Sequence, residues 1–245
     1  MINATQLPLK KTMAMVFGLT GLFTALYLIV GIQLPQLPTL LIFCILGVLF
    51  LMPAEWFLII RQSKKDYGKY SLASAQLGQE KQPILIILFF ASILFGLAGI
   101  FSFTILPLEN MLLFPLRERL LSFLPTGFDW NNIECIKSYP KNIVTATCVV
   151  YFIFNVFFGT ITEEFFFRGY LTAHNSKYGK WTPVIITAIF SLYHFWLPFQ
   201  NVFRIMIFTP MAYISYRKKN LYICMASHIL CNLFTTISFV LAVMD

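Results

Sequence analysis

Charge is what this sequence lacks most. Of its 245 residues only 11% are Asp, Glu, Lys or Arg, against about 25% in an average soluble domain. So few charges cannot cover the water-facing surface of a chain this long. Cysteine is also sparse: Cys44, Cys135, Cys148, Cys224 and Cys231 are scattered, and no two stand in C-x-x-C spacing. That excludes a disulfide framework and a thiolate zinc site. There is no internal repeat and no low-complexity segment, so an inverted-repeat transporter has no support.

What is present is apolar. The hydrophobic share is 58%, with 27 phenylalanines and a mean hydropathy of +0.76. This composition excludes a disordered chain, a collagen-like fibre and a nucleic-acid-binding domain. It predicts an all-α, polytopic membrane helix bundle whose partner is the lipid bilayer.

A span needs about 20 mostly apolar residues. Seven are predicted, at 12–31, 39–60, 84–106, 143–165, 182–198, 201–216 and 221–243, within a single integral membrane domain over 1–245. Basic residues set the orientation. Of the 18, only Arg117, Arg119, Lys137, Lys141 and Arg204 fall on the outer side if the N-terminus is cytoplasmic. The N-terminus is therefore placed inside and the C-terminus outside. Lys10–Lys11 precede a long apolar run with no clear cleavage site, which predicts a retained first helix rather than a signal peptide. The outer segment 107–142 reads as an interfacial helix around Met111–Leu124, with Pro115 as a break, followed by plain loop.

Ionisable residues inside spans need a reason, and here they cluster late. The first three spans hold only Glu55, read as a structural residue reaching toward Arg61. His174 is read as a surface residue in a polar hairpin tip. Residues 143–243 carry the chemistry. In Thr162-Glu163-Glu164-Phe165-Phe166-Phe167-Arg168-Gly169, Glu164 and Arg168 are four apart on one helical face and can pair. Glu163 is turned about 100° away and stays free to act as a base in an apolar wall. Phe190 and His194 repeat the four-residue spacing, as do His228 and Asn232. Taken singly, these pieces also read as a membrane-edge charge cluster, a histidine bonded to a neighbouring carbonyl, and packing glue between helices. Together they place Glu163 and His194 at matching distances from a turn near Gly179. An antiparallel hairpin would bring both to one level, where His228 and Asn232 can join them.

At these residues the sequence resembles the CPBP intramembrane proteases, which include the CAAX prenyl endopeptidases and bacterial proteins linked to bacteriocin processing and self-immunity. Glu163-Glu164…Arg168, Phe190…His194 and His228…Asn232 match that family's E-E-x-x-x-R, F-x-x-x-H and H-x-x-x-N elements in order, over roughly 160–235. Residues 1–142 match no motif, and bulky Tyr193 stands where a small residue is common. The resemblance implies an intramembrane endopeptidase acting on a membrane-associated peptide or protein. It implies catalytic roles for Glu163, His194, His228 and Asn232. Glu163 would activate a water that His194 holds, while His228 and Asn232 would stabilise the oxyanion. Glu164, Arg168 and Phe190 would support them. No H-E-x-x-H is present, so a metal-free scheme without cofactor is preferred. The alternative is zinc held by Glu163, His194 and His228. A second functional reading is a non-catalytic membrane scaffold or bacteriocin self-immunity protein with the same fold. The expected location is a bacterial cell membrane, with water reaching the site from the cytoplasmic side.

Overall fold

The computed structural model describes residues 4–75 and 80–245. Among them the regular structure is all helical. The elements are α1 (Leu9–Gln33), α2 (Thr39–Leu46), α3 (Met52–Tyr67), α4 (Ile84–Leu121), α5 (Ile133–Lys137), α6 (Lys141–Ile153), α7 (Thr160–Glu163), α8 (Thr172–His174), α9 (Thr182–Tyr193), α10 (Asn201–Lys218) and α11 (Leu221–Met244). A π-helical turn, Gly47–Leu51, joins α2 to α3. Two more, Phe154–Gly159 and Glu164–Leu171, join α6, α7 and α8. Proline starts several helices from just outside, as Pro8, Pro38, Pro83 and Pro140 do. Its fixed φ suits the helix entrance, and its missing N–H is not needed there.

Five helical stretches are long and apolar enough to cross a membrane: Leu9–Gln33, Thr39–Tyr67, Ile84–Leu121, Lys141–His174 and Leu221–Met244. The chain is thus a polytopic helical bundle and an integral membrane protein. The predicted fifth and sixth spans differ from expectation. α9 stops after 12 residues at Tyr193, about 18 Å of helix. α10 has 18 residues but carries Arg204, Pro210, Arg217 and Lys218. Tertiary contacts accompany the early end of α9, and Pro198 follows it in the sequence. Thr20 donates to the Tyr193 carbonyl, and Arg204 donates to the carbonyls of Ser191 and Leu197. These donors satisfy carbonyls that a longer helix would have used itself.

The outer segment also departs from its sequence reading. α4 runs unbroken for 38 residues with both Pro107 and Pro115 inside it, so no separate interfacial helix begins at Met111. The stretch read as plain loop folds back onto the bundle. Arg117 pairs with Asp129 at 2.6 Å, and the Trp130 indole donates to Tyr27 and Thr39, both at 3.1 Å.

The predicted turn near Gly179 is present: φ there is 56°, a region open to glycine without strain. His174, expected at the surface, is buried instead. Its Nδ1 faces the Tyr170 carbonyl at 2.7 Å and its Nε2 faces Asp66 at 2.8 Å. Asp66 also accepts from Thr5 at 2.7 Å and Gln62 at 3.0 Å. The N-terminal segment continues this clasp: the Leu7 N–H donates to the His174 carbonyl, and Gln6 bonds Ala173, Ser176 and Lys177. The sequence signal was hidden because Asp66 and His174 lie 108 residues apart. Asp66→Ala strands a buried imidazole and removes three bonds to a charged acceptor. The expected cost is about 1.5–3 kcal/mol, read as a lower unfolding temperature in detergent.

Gly169 is fixed by packing. A methyl group there would run into the backbone carbonyl of Ala75, which sits in the short helical turn Ala73–Ala75. Neither backbone can step aside cheaply. Gly169→Ala is expected to lose about 1–3 kcal/mol of stability, measurable by the same thermal unfolding.

Candidate active site

Four elements converge on one point. α7 ends on Glu163, the π-helical turn after it carries Glu164 and Arg168, His194 caps the C-terminus of α9, and His228 lies in the second turn of α11. The Glu163 carboxylate stands 3.9 Å from His194 Nε2 through one oxygen and 3.9 Å from His228 Nε2 through the other. Both gaps are too long for direct hydrogen bonds and suit a bridging water. The two imidazoles are oriented from behind. His194 Nδ1 donates to the Phe190 carbonyl at 2.8 Å, four residues back, and His228 Nδ1 donates to Glu164 at 2.9 Å. An acceptor at each Nδ1 fixes the tautomer and turns Nε2 toward Glu163.

Glu164 and Arg168 pair as the spacing predicted, at 3.3 Å, and both are almost wholly buried, with side-chain exposures of 0% and 2%. The same Glu164 oxygen serves His228 and Arg168. No guanidinium nitrogen of Arg168 makes a hydrogen bond in its buried setting. The group lies instead against aromatic faces, 4.0 Å from the Phe190 ring centre and 5.1 Å from that of Phe208. Phe190 also packs edge-on against both histidines. The supporting residues thus form one stack behind the reactive groups.

Asn232 lines the same cavity. Its amide donates to the Asn155 carbonyl at 3.0 Å and to Thr160 at 2.9 Å, so both amide hydrogens are engaged. Thr160 also donates to the Asn155 carbonyl. These bonds collect around the π-helical turn Phe154–Gly159.

The cavity measures about 690 Å³ and is walled by Glu163, His194, His228 and Asn232 at one end. Phe95, Phe103, Leu106 and Phe234 line its flank. It runs toward Arg117, Asp129, Asn131 and the turn after His194.

Two cavity residues escaped the sequence reading. Glu55 does not reach toward Arg61. It is 1% exposed, lines the cavity and accepts from the Tyr193 hydroxyl at 2.8 Å. Arg204, counted with the outer basic residues, is buried and braces the turn after α9 through Ser191, Leu197 and Asn201. Glu109 completes that brace by accepting the N–H groups of Val202 and Phe203 at the start of α10. The signal was available: both lie among apolar neighbours, where a charge marks a function or a partner.

Zinc fits this set poorly. Ligands about 2.0–2.1 Å from a tetrahedral ion stand roughly 3.3 Å from one another, closer than the 3.9 Å separations here. Among the described residues no cluster of three His, Cys, Asp or Glu side chains is arranged for a metal.

The family described as type II CAAX prenyl endopeptidase, Rce1-like, matches residues 145–234. Over that segment, well under half of the chain, the sequence is similar to this family of intramembrane CAAX-type proteases. The matched segment contains all three motifs and stops short of α1–α4. Comparison with curated proteins and with solved structures returns no match.

Proposed function

We propose that this chain is an intramembrane endopeptidase that hydrolyses a peptide bond in a membrane-associated peptide or protein, using a water activated by Glu163. The observation that carries the reading is the symmetric placement of the Glu163 carboxylate, 3.9 Å from two imidazole nitrogens whose opposite nitrogens are tied back.

The two histidines have different partners, and this divides their work. His194 is backed by a neutral carbonyl, so its Nε2 lone pair accepts a hydrogen from the water and holds it. His228 Nδ1 donates to the Glu164 carboxylate, and a doubly protonated ring held this way would aim its Nε2–H at the oxyanion. Glu163 takes a proton from the water as the oxygen attacks the peptide carbon. The carbonyl π electrons move onto oxygen, which His228 receives by donating to it. Such a donor is typically worth about 2.7–4 kcal/mol of barrier. On collapse the C–N bond breaks, and Glu163 passes its proton to the departing amine. Asn232 holds the Asn155–Thr160 turn beside Glu163 and joins the oxyanion donors by exchanging one of its present bonds.

The apolar flank of the cavity suits a lipid-modified or strongly apolar substrate segment.

The test compares membrane-associated peptides by mass spectrometry in cells carrying the wild-type chain and cells carrying Glu163→Ala. Fragments present with the wild type and missing with the variant are expected. Identical peptide inventories would reject the proposal and favour a scaffold or immunity role.

A further inference from the structure

We infer that Glu55 is a specificity residue that receives a cationic group of the substrate, a lysine or arginine side chain or a free amine. The inference rests on reading the cavity as the substrate site.

Glu55 sits on α3, outside the segment that matches the protease family. Its carboxyl is buried in the cavity wall with one oxygen held by Tyr193, the residue before His194. The other oxygen makes no hydrogen bond among the described residues, yet it is not among the sealed-off polar atoms. No lysine, arginine or histidine nitrogen comes within 4.0 Å of it among the described residues. Buried carboxylates ordinarily have a cationic partner, and this one faces open space instead.

The neighbouring wall fits the same occupant. Tyr193 packs on Trp196 at 5.1 Å between ring centres, Trp196 on Phe43 at 5.2 Å, and Phe43 on Trp130 at 4.9 Å. All four rings line the cavity. A carboxylate beside an aromatic wall offers a cation both an ion pair and ring faces. An anionic substrate group would meet Glu55 and Glu163 together and be repelled. Tyr193 ties this subsite to the backbone that carries His194, so the cation would be read next to the reactive centre.

The test uses three N-palmitoylated heptapeptides of one apolar sequence, with lysine, its uncharged isostere norleucine or glutamate at the central position. Binding is measured in detergent on the Glu163→Gln chain, which holds substrate without cleaving it. The lysine peptide is expected to bind about tenfold more tightly than the norleucine peptide, and the glutamate peptide most weakly. Adding Glu55→Gln should bring lysine and norleucine within about twofold of each other. Equal affinities while Glu55 is intact, a lysine preference that survives Glu55→Gln, or no binding by any peptide overturns the inference. Cleavage of the bound peptides by the wild-type chain is scored separately. Binding preference without cleavage would remove the protease reading and leave the subsite standing.

Discussion

Glu163→Gln should abolish peptide cleavage while the protein still purifies as a folded monodisperse particle. The substitution keeps the shape of the side chain and removes its ability to take a proton. The two Nε2 atoms lie 3.9 Å from the carboxylate, beyond direct bonding, so neither imidazole loses a structural partner. Loss of a positioned general base costs roughly 10²–10⁴-fold. Here the same group must also return the proton to the leaving amine, so turnover should fall to the upper end of that range or below detection. The unfolding temperature should remain near that of the wild type. Undiminished cleavage by this variant would remove Glu163 from the reaction.

Glu164→Ala should have the largest effect on stability. Glu164 is the partner of two buried groups at once, Arg168 at 3.3 Å and His228 at 2.9 Å. Removing it leaves the Arg168 guanidinium inside the bundle with only the faces of Phe190 and Phe208 around it. Stripping one partner from a buried ion pair costs about 3–5 kcal/mol. The lost bond to His228 Nδ1 also releases the ring that is proposed to meet the oxyanion. The variant should unfold at a clearly lower temperature, and whatever remains folded should cleave poorly. Glu164→Gln keeps a hydrogen-bond acceptor for His228 without the charge. It should be intermediate in stability and still impaired in turnover. A wild-type melting profile for Glu164→Ala would show that Arg168 finds another partner.

The site was legible in the sequence wherever helical spacing encodes it. Glu164 with Arg168 and Phe190 with His194 follow from four-residue spacing, and the structure brings Glu163 and His194 together across the Gly179 turn although the π-helical stretch Glu164–Leu171 and the tighter turn Ser176–Trp181 interrupt the regular rise. What the sequence hid depends on contacts between distant segments. Nothing near Glu55 announces Tyr193, 138 positions away. α9 ends at Tyr193, where Thr20 and Arg204 take up carbonyls and Pro198 stands five residues on, whereas a span reaching 198 was predicted. The π-helical turns beside Glu163 carry no composition signal of their own. The bonds of Asn232 to Asn155 and Thr160 fall at one of them. Seven spans were expected from apolarity, but a helix enclosed by its neighbours, such as α9, need not be long enough to cross lipid by itself.

The clasp formed by Thr5, Gln6 and Leu7 has a practical consequence. These residues hold Asp66 and the backbone at 173–177, directly beneath the hairpin that brings Glu163 level with His194. A bulky fusion partner or purification handle joined close to Ala4 would pull on that fastening and should weaken the proposed peptidase activity without touching a reactive atom. Asp245, at the opposite terminus, is exposed, and appendages belong there.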